Sequence, residues 1–165
     1  MTPETVDSTP KDFDFIIGKW RVHHRRLKAR LSGCDEWLEF EGLSETRKVL
    51  GGFGNLEDNY LSFPEGPFHA VALRSFDPRS REWSIWWLDG RNPGELDKPV
   101  VGQFADTTGV FFADDVLDGK PIRIRFTWSA LDPDLPRWEQ AFSADGGTTW
   151  ETNWTMHFTR DEQVR

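Results

Sequence analysis

From residue 19 onward, apolar and polar residues alternate in short runs divided by turn residues, and no helical period holds over eleven residues. The alternation predicts strands over 19–28, 36–47, 54–61, 69–76, 82–88, 99–104, 109–115, 121–129, 136–143 and 149–160. The punctuation between them has physical causes. Asp77-Pro78 and Asp132-Pro133 preset φ for a turn, while Asp106-Thr-Thr-Gly109, Asp118-Gly119 and Asp145-Gly146-Gly147 supply the positive φ of tight hairpins. Asn92-Pro93-Gly94 opens a longer loop over 89–98. Residues 1–11 read as a flexible tail, and Asp12–Gly18 as one short helical turn before the first strand, so that 12–165 form one domain.

Hairpin-length connections exclude a parallel sheet, which needs crossover helices. Ten strands laid out as an open meander would leave two unpaired edges, and closure removes both. The expected fold is therefore all-β: a single closed antiparallel up-and-down barrel of about ten strands. A barrel that wide is not filled by its own side chains, so an internal cavity is expected.

Period-2 geometry sorts the strands into faces. In the last strand Trp150, Thr152, Trp154, Met156, Phe158 and Arg160 form the more apolar face, expected inside. The same rule puts Trp20, Val22 and His24 inside on the first strand, Ile122, Ile124, Phe126 and Trp128 on the eighth, and Trp138, Gln140 and Phe142 on the ninth. Alternation alone leaves the fourth strand open, with Val71 and Leu73 on one face and Arg74 and Phe76 on the other. The fifth is open too, with Trp83, Ile85 and Trp87 opposed to Ser84, Trp86 and Leu88.

Composition sharpens this picture. Nine Trp and thirteen Phe among 165 residues suit a wide core or a ring-lined cavity. A formal charge of −8 repels phosphate backbones and argues against nucleic-acid binding. The single cysteine, Cys34, allows no internal disulfide, and no apolar run reaches membrane-spanning length or resembles a leader. A cytoplasmic, non-membrane protein is expected. Outward Trp37 and Trp86 could form a patch for a homodimer.

Phe15-Ile-Ile-Gly-Lys-Trp20, together with Phe158-Thr-Arg160 at the end of the last strand, resembles the calycin signature of lipocalins and fatty-acid-binding proteins. There a Gly-x-Trp opens the first strand, and a basic residue near the chain end packs across the Trp to close the base. More narrowly, FDFIIGKW, ALRSFDPRSREWSIWWLD and WEQAFSADGGTTWETNW resemble a bacterial family of calycin-like barrels catalogued as a domain of unknown function. The resemblance implies that Trp20 and Arg160 close the barrel and that the interior holds a small molecule.

Other chemistry is sparse. Ser143–Trp150 fits the Asp box of sialidase propellers, but one box in 165 residues makes a hairpin, not a propeller. Glu139 and Glu151 fall on outward faces by the alternation and lack the shared pocket of a glycosidase pair. His23 and His24 point to opposite faces, and His69 and His157 have no partner at ligand spacing, so no metal site is expected. Nitrobindin-like haem barrels carry a proximal His near the C-terminus, where His157 lies. The alternation puts His157 outside, however, and Arg21-Val-His-His24 stands where that pattern wants glycines. No cofactor is expected.

The reading is a binding barrel for a partly apolar ligand, with an anionic group as an option. Its expected ligand-contacting residues are His24, Arg74, Trp87, Trp138, Gln140, Thr152, Trp154 and Met156. An inward Arg74 would want a carboxylate, from the ligand or from Asp58 on the third strand, where Asp58 or Tyr60 faces in. The alternative is a small cofactor-independent enzyme of isomerase, cyclase or hydrolase type, with His24 as general base. A structural or interaction protein whose barrel is filled solid is a third reading, and a haem-binding barrel a fourth.

Overall fold

The computed structural model describes residues 8–161, so the first seven residues of the expected tail lie outside it. Ten strands form one closed antiparallel barrel: β1 (Gly18–Leu27), β2 (Trp37–Val49), β3 (Gly54–Leu61), β4 (Phe68–Asp77), β5 (Glu82–Asp89), β6 (Val100–Ala105), β7 (Thr108–Leu117), β8 (Lys120–Ser129), β9 (Arg137–Ser143) and β10 (Glu151–Arg160). Each strand pairs with its sequence neighbours, and β10 returns to pair with β1. The seam between β5 and β6 is the shortest, running from Trp83↔Gly102 to Ile85↔Val100, and the long 90–99 loop leaves the wall there. Among the described residues no helix is long and apolar enough to cross a membrane.

The base of the barrel is closed by the segment before β1. A short 3-10 turn, Asp14–Ile16, carries Phe13 into the barrel end. Phe13 meets Trp83 and Phe104 edge-on, each at 4.8 Å between centroids, and Asp12 accepts a hydrogen bond from Trp83 Nε1 at 3.0 Å. Trp20, fully buried, donates Nε1–H to the Ile16 carbonyl at 2.8 Å. The Arg160 guanidinium lies 3.9 Å above the Trp20 ring and donates to the Ile17 carbonyl at 2.8 Å. Gly18 makes this possible: its φ is +120°, and a Cβ there would lie 2.8 Å from Arg160 Nη1. In this sequence the glycine of Gly-x-Trp is thus demanded by the backbone turn, and it also leaves room for the arginine tip.

Ladder registers settle the faces left open by alternation. Trp20 pairs Ser44, Thr46 pairs Glu57, Asn55 pairs Arg74, and Arg74 pairs Ile85, so all of these share the inner face. Strand β4 therefore turns Phe68, Ala70, Ala72, Arg74 and Phe76 inward, and β5 turns Trp83, Ile85 and Trp87 inward, leaving Trp86 outside beside Leu73. On β3 the expectation for Asp58 and Tyr60 is corrected. They face out, and the inward polar residues are Asn55, Glu57 and Asn59, each 2% exposed. Tyr60 and Asp58 look apolar or acidic enough to serve either face, and only the register with β2 decides.

The expected inner face of β10 holds over its second half and fails over its first. Trp154 pairs Gln140, but Thr152 pairs Ala141, because Asn153 is inserted as a bulge. One extra residue reverses the faces upstream. Trp150 consequently lies outside the barrel, 4.4 Å under the Arg125 guanidinium and 6.1 Å from Phe112, and Thr152 shares the outer face with Ala141. Glu151, expected outside, takes the face of inward Phe142 and accepts a hydrogen bond from the Leu31 amide at 2.7 Å. Asn153 is fully buried and accepts a hydrogen bond from Gln140 at 2.8 Å.

The Asp box is the hairpin that launches β10. Asp145 accepts from the Thr148 and Thr149 amides at 3.0 and 2.8 Å and from the Ser143 hydroxyl at 2.7 Å, while Ser143 Oγ accepts from the Gly147 amide at 2.9 Å. Hydrogen bonds from Thr149, then from Ser143, hold the Asp145 carboxyl below the usual carboxylate range.

Candidate functional site

Above the plugged base the barrel opens into a cavity of about 390 Å³. Its apolar walls come from β5, β8, β9 and β10: Trp87, Phe126, Trp138, Phe142, Trp154 and Met156 all line it. The rings are locked against one another. Trp154 meets Trp138 at 5.3 Å and Trp87 at 5.9 Å, both edge-on, and Trp138 meets Phe126 edge-on at 5.0 Å. Such packing holds the walls rigid, so the cavity is preformed.

The mouth is charged, with both signs present: Arg26, Arg30 and Arg91 line it together with Asp89, Glu95, Asp97 and Asp115. Arg91 is committed, since it pairs with Asp89 at 2.7 Å and lies 3.6 Å over the Phe68 ring. Arg26 is different. Its guanidinium lies 4.8 Å over the Trp154 ring, and its buried Nε has no hydrogen-bond partner among the described residues. Burial, then the neighbouring charges of Arg30 and Arg91, lower its pKa to about 10, which leaves it a cation at neutral pH. An arginine so placed carries positive charge with donor capacity to spare. The Asp97 carboxyl is raised by burial and then by Asp115, Asp89 and Glu95.

The cavity floor is a buried ion pair. Arg74, 2% exposed, donates Nη1–H to Asn55 at 2.8 Å and Nη2–H to Glu57. Its guanidinium lies 5.1 and 5.0 Å from the centroids of Phe13 and Trp128, two rings that meet edge-on. The carboxylate sought for Arg74 is thus Glu57, one residue from Asp58. A smaller void of about 20 Å³ adjoins this pair, and it shares Trp87, Phe126, Trp138 and Met156 with the main cavity.

Of the eight expected ligand-contacting residues, Trp87, Trp138, Gln140, Trp154 and Met156 come together on the main cavity, and Arg74 lies at its floor. Thr152 is on the outer face and does not join them. His24 points inward but stands behind the wall. Its ring stacks on Phe40 at 4.6 Å, and its Nδ1 accepts the Trp154 Nε1–H at 3.1 Å. Gly42 makes room for it, since a Cβ there would meet His24 Nε2 at 2.9 Å. Burial, then the charges of His23 and Arg26, lower the His24 pKa to about 3, so the ring is neutral. His157 is exposed and pairs with His23 on the outer face of β1 and β10. Among the described residues no group of three His, Cys, Asp or Glu could hold a metal ion.

Arg26 is the site residue that the sequence reading missed. It has the same parity as Trp20, Val22 and His24, so the alternation carried one step further along β1 finds it. A charged residue in a basic run gave no other sign of facing in.

A scan of protein-family models and a search of curated proteins each return no match for this chain. A search of solved structures finds the S-type phycobiliprotein lyase CPES from Guillardia theta, with a TM-score of 0.57 over 91% of this chain and 90% of that one. The fold is a calycin-like barrel. Sequence identity over the match is 11%, so the likeness is one of fold. The Gly18–Trp20–Arg160 closure agrees with that fold.

Proposed function

We propose that the barrel binds a small organic anion with a predominantly apolar, ring- or chain-like body, the anionic group taken by Arg26 at the mouth. One observation carries the reading: Arg26 stacks on Trp154 at the rim of a cavity of about 390 Å³ walled by aromatic rings, with a buried Nε–H that has no partner among the described residues. The rings supply apolar contact without ordering cost, and a charge-assisted hydrogen bond to Arg26 supplies orientation.

Binding is favoured over catalysis by the state of His24. The Nδ1 lone pair is engaged by Trp154, the pKa is about 3, and the ring lies behind the cavity wall, so it offers no base to a molecule in the cavity. Haem ligation by His157 is disfavoured because that side chain is exposed on the outer face. The neighbour's activity, that of a phycobiliprotein lyase, is not carried over at 11% identity.

The test is a titration of intrinsic Trp fluorescence with decanoate and with 2-naphthoate, beside native mass spectrometry of freshly purified protein. Saturable quenching is expected, and Arg26→Gln weakens it about tenfold to a hundredfold, the value of one hydrogen bond to a charged group. Unchanged fluorescence with both acids, or equal affinity in Arg26→Gln, overturns the reading.

A further inference from the structure

We infer that the floor of the cavity is a hydroxyl-recognising subsite, so that the ligand carries a hydroxyl at the end of its apolar body opposite the anionic group. The inference rests on the reading above and names the ligand more narrowly. Its starting point is Arg74. Two of its nitrogens are satisfied, by Asn55 and Glu57, while Nε, on a side chain 2% exposed, has no hydrogen-bond partner among the described residues. An orphaned donor so deeply buried is costly, and here it belongs to a residue lining a void. The guanidinium is positioned by its bonds to Asn55 and Glu57 and by the adjoining rings of Phe13 and Trp128, 5.1 and 5.0 Å away.

The void of about 20 Å³ is large enough for one water-sized group. It is continuous in its lining with the main cavity through Trp87, Phe126, Trp138 and Met156. The two polar groups at this end are chemically one-sided. A guanidinium only donates, and the Glu57 carboxylate only accepts. A hydroxyl does both, accepting from Arg74 Nε–H and donating to Glu57. A second carboxylate would face Glu57, and an ammonium would face Arg74, so the paired floor disfavours both. Arg26 is the ninth residue of β1 at the mouth end, whereas Arg74 is the seventh of β4, which runs toward the plugged base. The two arginines therefore mark opposite ends of the cavity and the void that shares its walls, and an ω-hydroxy acid satisfies both.

The experiment compares unsubstituted and ω-hydroxylated acids of eight, ten and twelve carbons by Trp fluorescence titration of the full chain. An ω-hydroxyl entering an apolar cavity without partners weakens binding, so a gain is diagnostic. At one chain length the hydroxy acid is expected to bind at least tenfold tighter than its parent, with less advantage at the other lengths. Ala72→Leu fills the void without removing either charged group, and is expected to cut the advantage below twofold while leaving the parent acid within about threefold. Equal or weaker binding of every hydroxy acid in the unaltered protein overturns the subsite and leaves anion binding standing. An advantage that persists in Ala72→Leu also overturns it. If neither series binds, anion binding itself fails and the subsite fails with it. The comparison in the unaltered protein stands even if Ala72→Leu folds poorly.

Discussion

Truncating Arg160 to Ala removes the cation that closes the base over Trp20. The side chain makes two interactions whose values can be set beside each other. Its guanidinium is 3.9 Å from the centroid of a fully buried Trp20 ring, a cation–π contact worth about 0.5–2 kcal/mol. Its Nη1 also donates to the Ile17 carbonyl at 2.8 Å, a charge-assisted bond worth roughly 1.5–3 kcal/mol when screened from water. Arg160 is itself exposed, so solvent competes for both contacts, and the lower ends apply. The expected loss is about 2 kcal/mol, or roughly 4–8 °C in Tm for a chain of this length. Urea denaturation should show a lower midpoint with an unchanged m-value. Arg160→Lys should recover less than half, because an ammonium lacks the planar fork that stacks on the ring while bonding the carbonyl. A double-mutant cycle with Trp20→Phe should give a coupling of about 1 kcal/mol. A loss below about 0.5 kcal/mol for Arg160→Ala, or a coupling indistinguishable from zero, would refute the closure as a source of stability.

Two further outcomes follow from the same geometry. Gly18→Ala places a side chain at φ +120° and within 2.8 Å of Arg160 Nη1, so about 1–3 kcal/mol of destabilisation is expected by denaturant melt, less in an Arg160→Ala background where the clash is gone. His24 gives a pH dependence. Its folded pKa, about 3, lies below the ordinary value of 6.5, so the unfolded chain binds the proton that the folded one refuses. Stability is therefore undiminished above pH 6.5 and falls as pH drops toward 3, by about 2 kcal/mol at pH 5. His24→Gln, measured against the natural chain at pH 7.5 and pH 5, should close its stability gap by about that amount; a gap independent of pH contradicts a buried neutral His24.

The sequence by itself determined the strand count, the closure and most of the interior, because each depends on local information. Alternation with period 2 and turn residues at fixed intervals specify antiparallel hairpins, and ten of them leave edges that only closure removes. Trp138, Trp154 and Met156 were legible on the cavity wall because apolar residues alternating with polar ones leave one choice of face. The tertiary structure decided what alternation could not. Asn153 is a single inserted residue, and nothing in Glu151-Thr-Asn-Trp154 announces that the face reverses there; the bulge is fixed by pairing with β9. Likewise Asp58 and Glu57 are adjacent acids of similar propensity, and only the register with β2 and β4 turns Glu57 toward Arg74. His24 was correctly turned inward, yet whether an inward residue meets the cavity or is covered by a neighbour depends on the volume of the rings around it. Phe40 and Trp154 enclose His24, while Arg26, two residues on, stacks on Trp154 at the rim with its Nε short of a partner among the described residues.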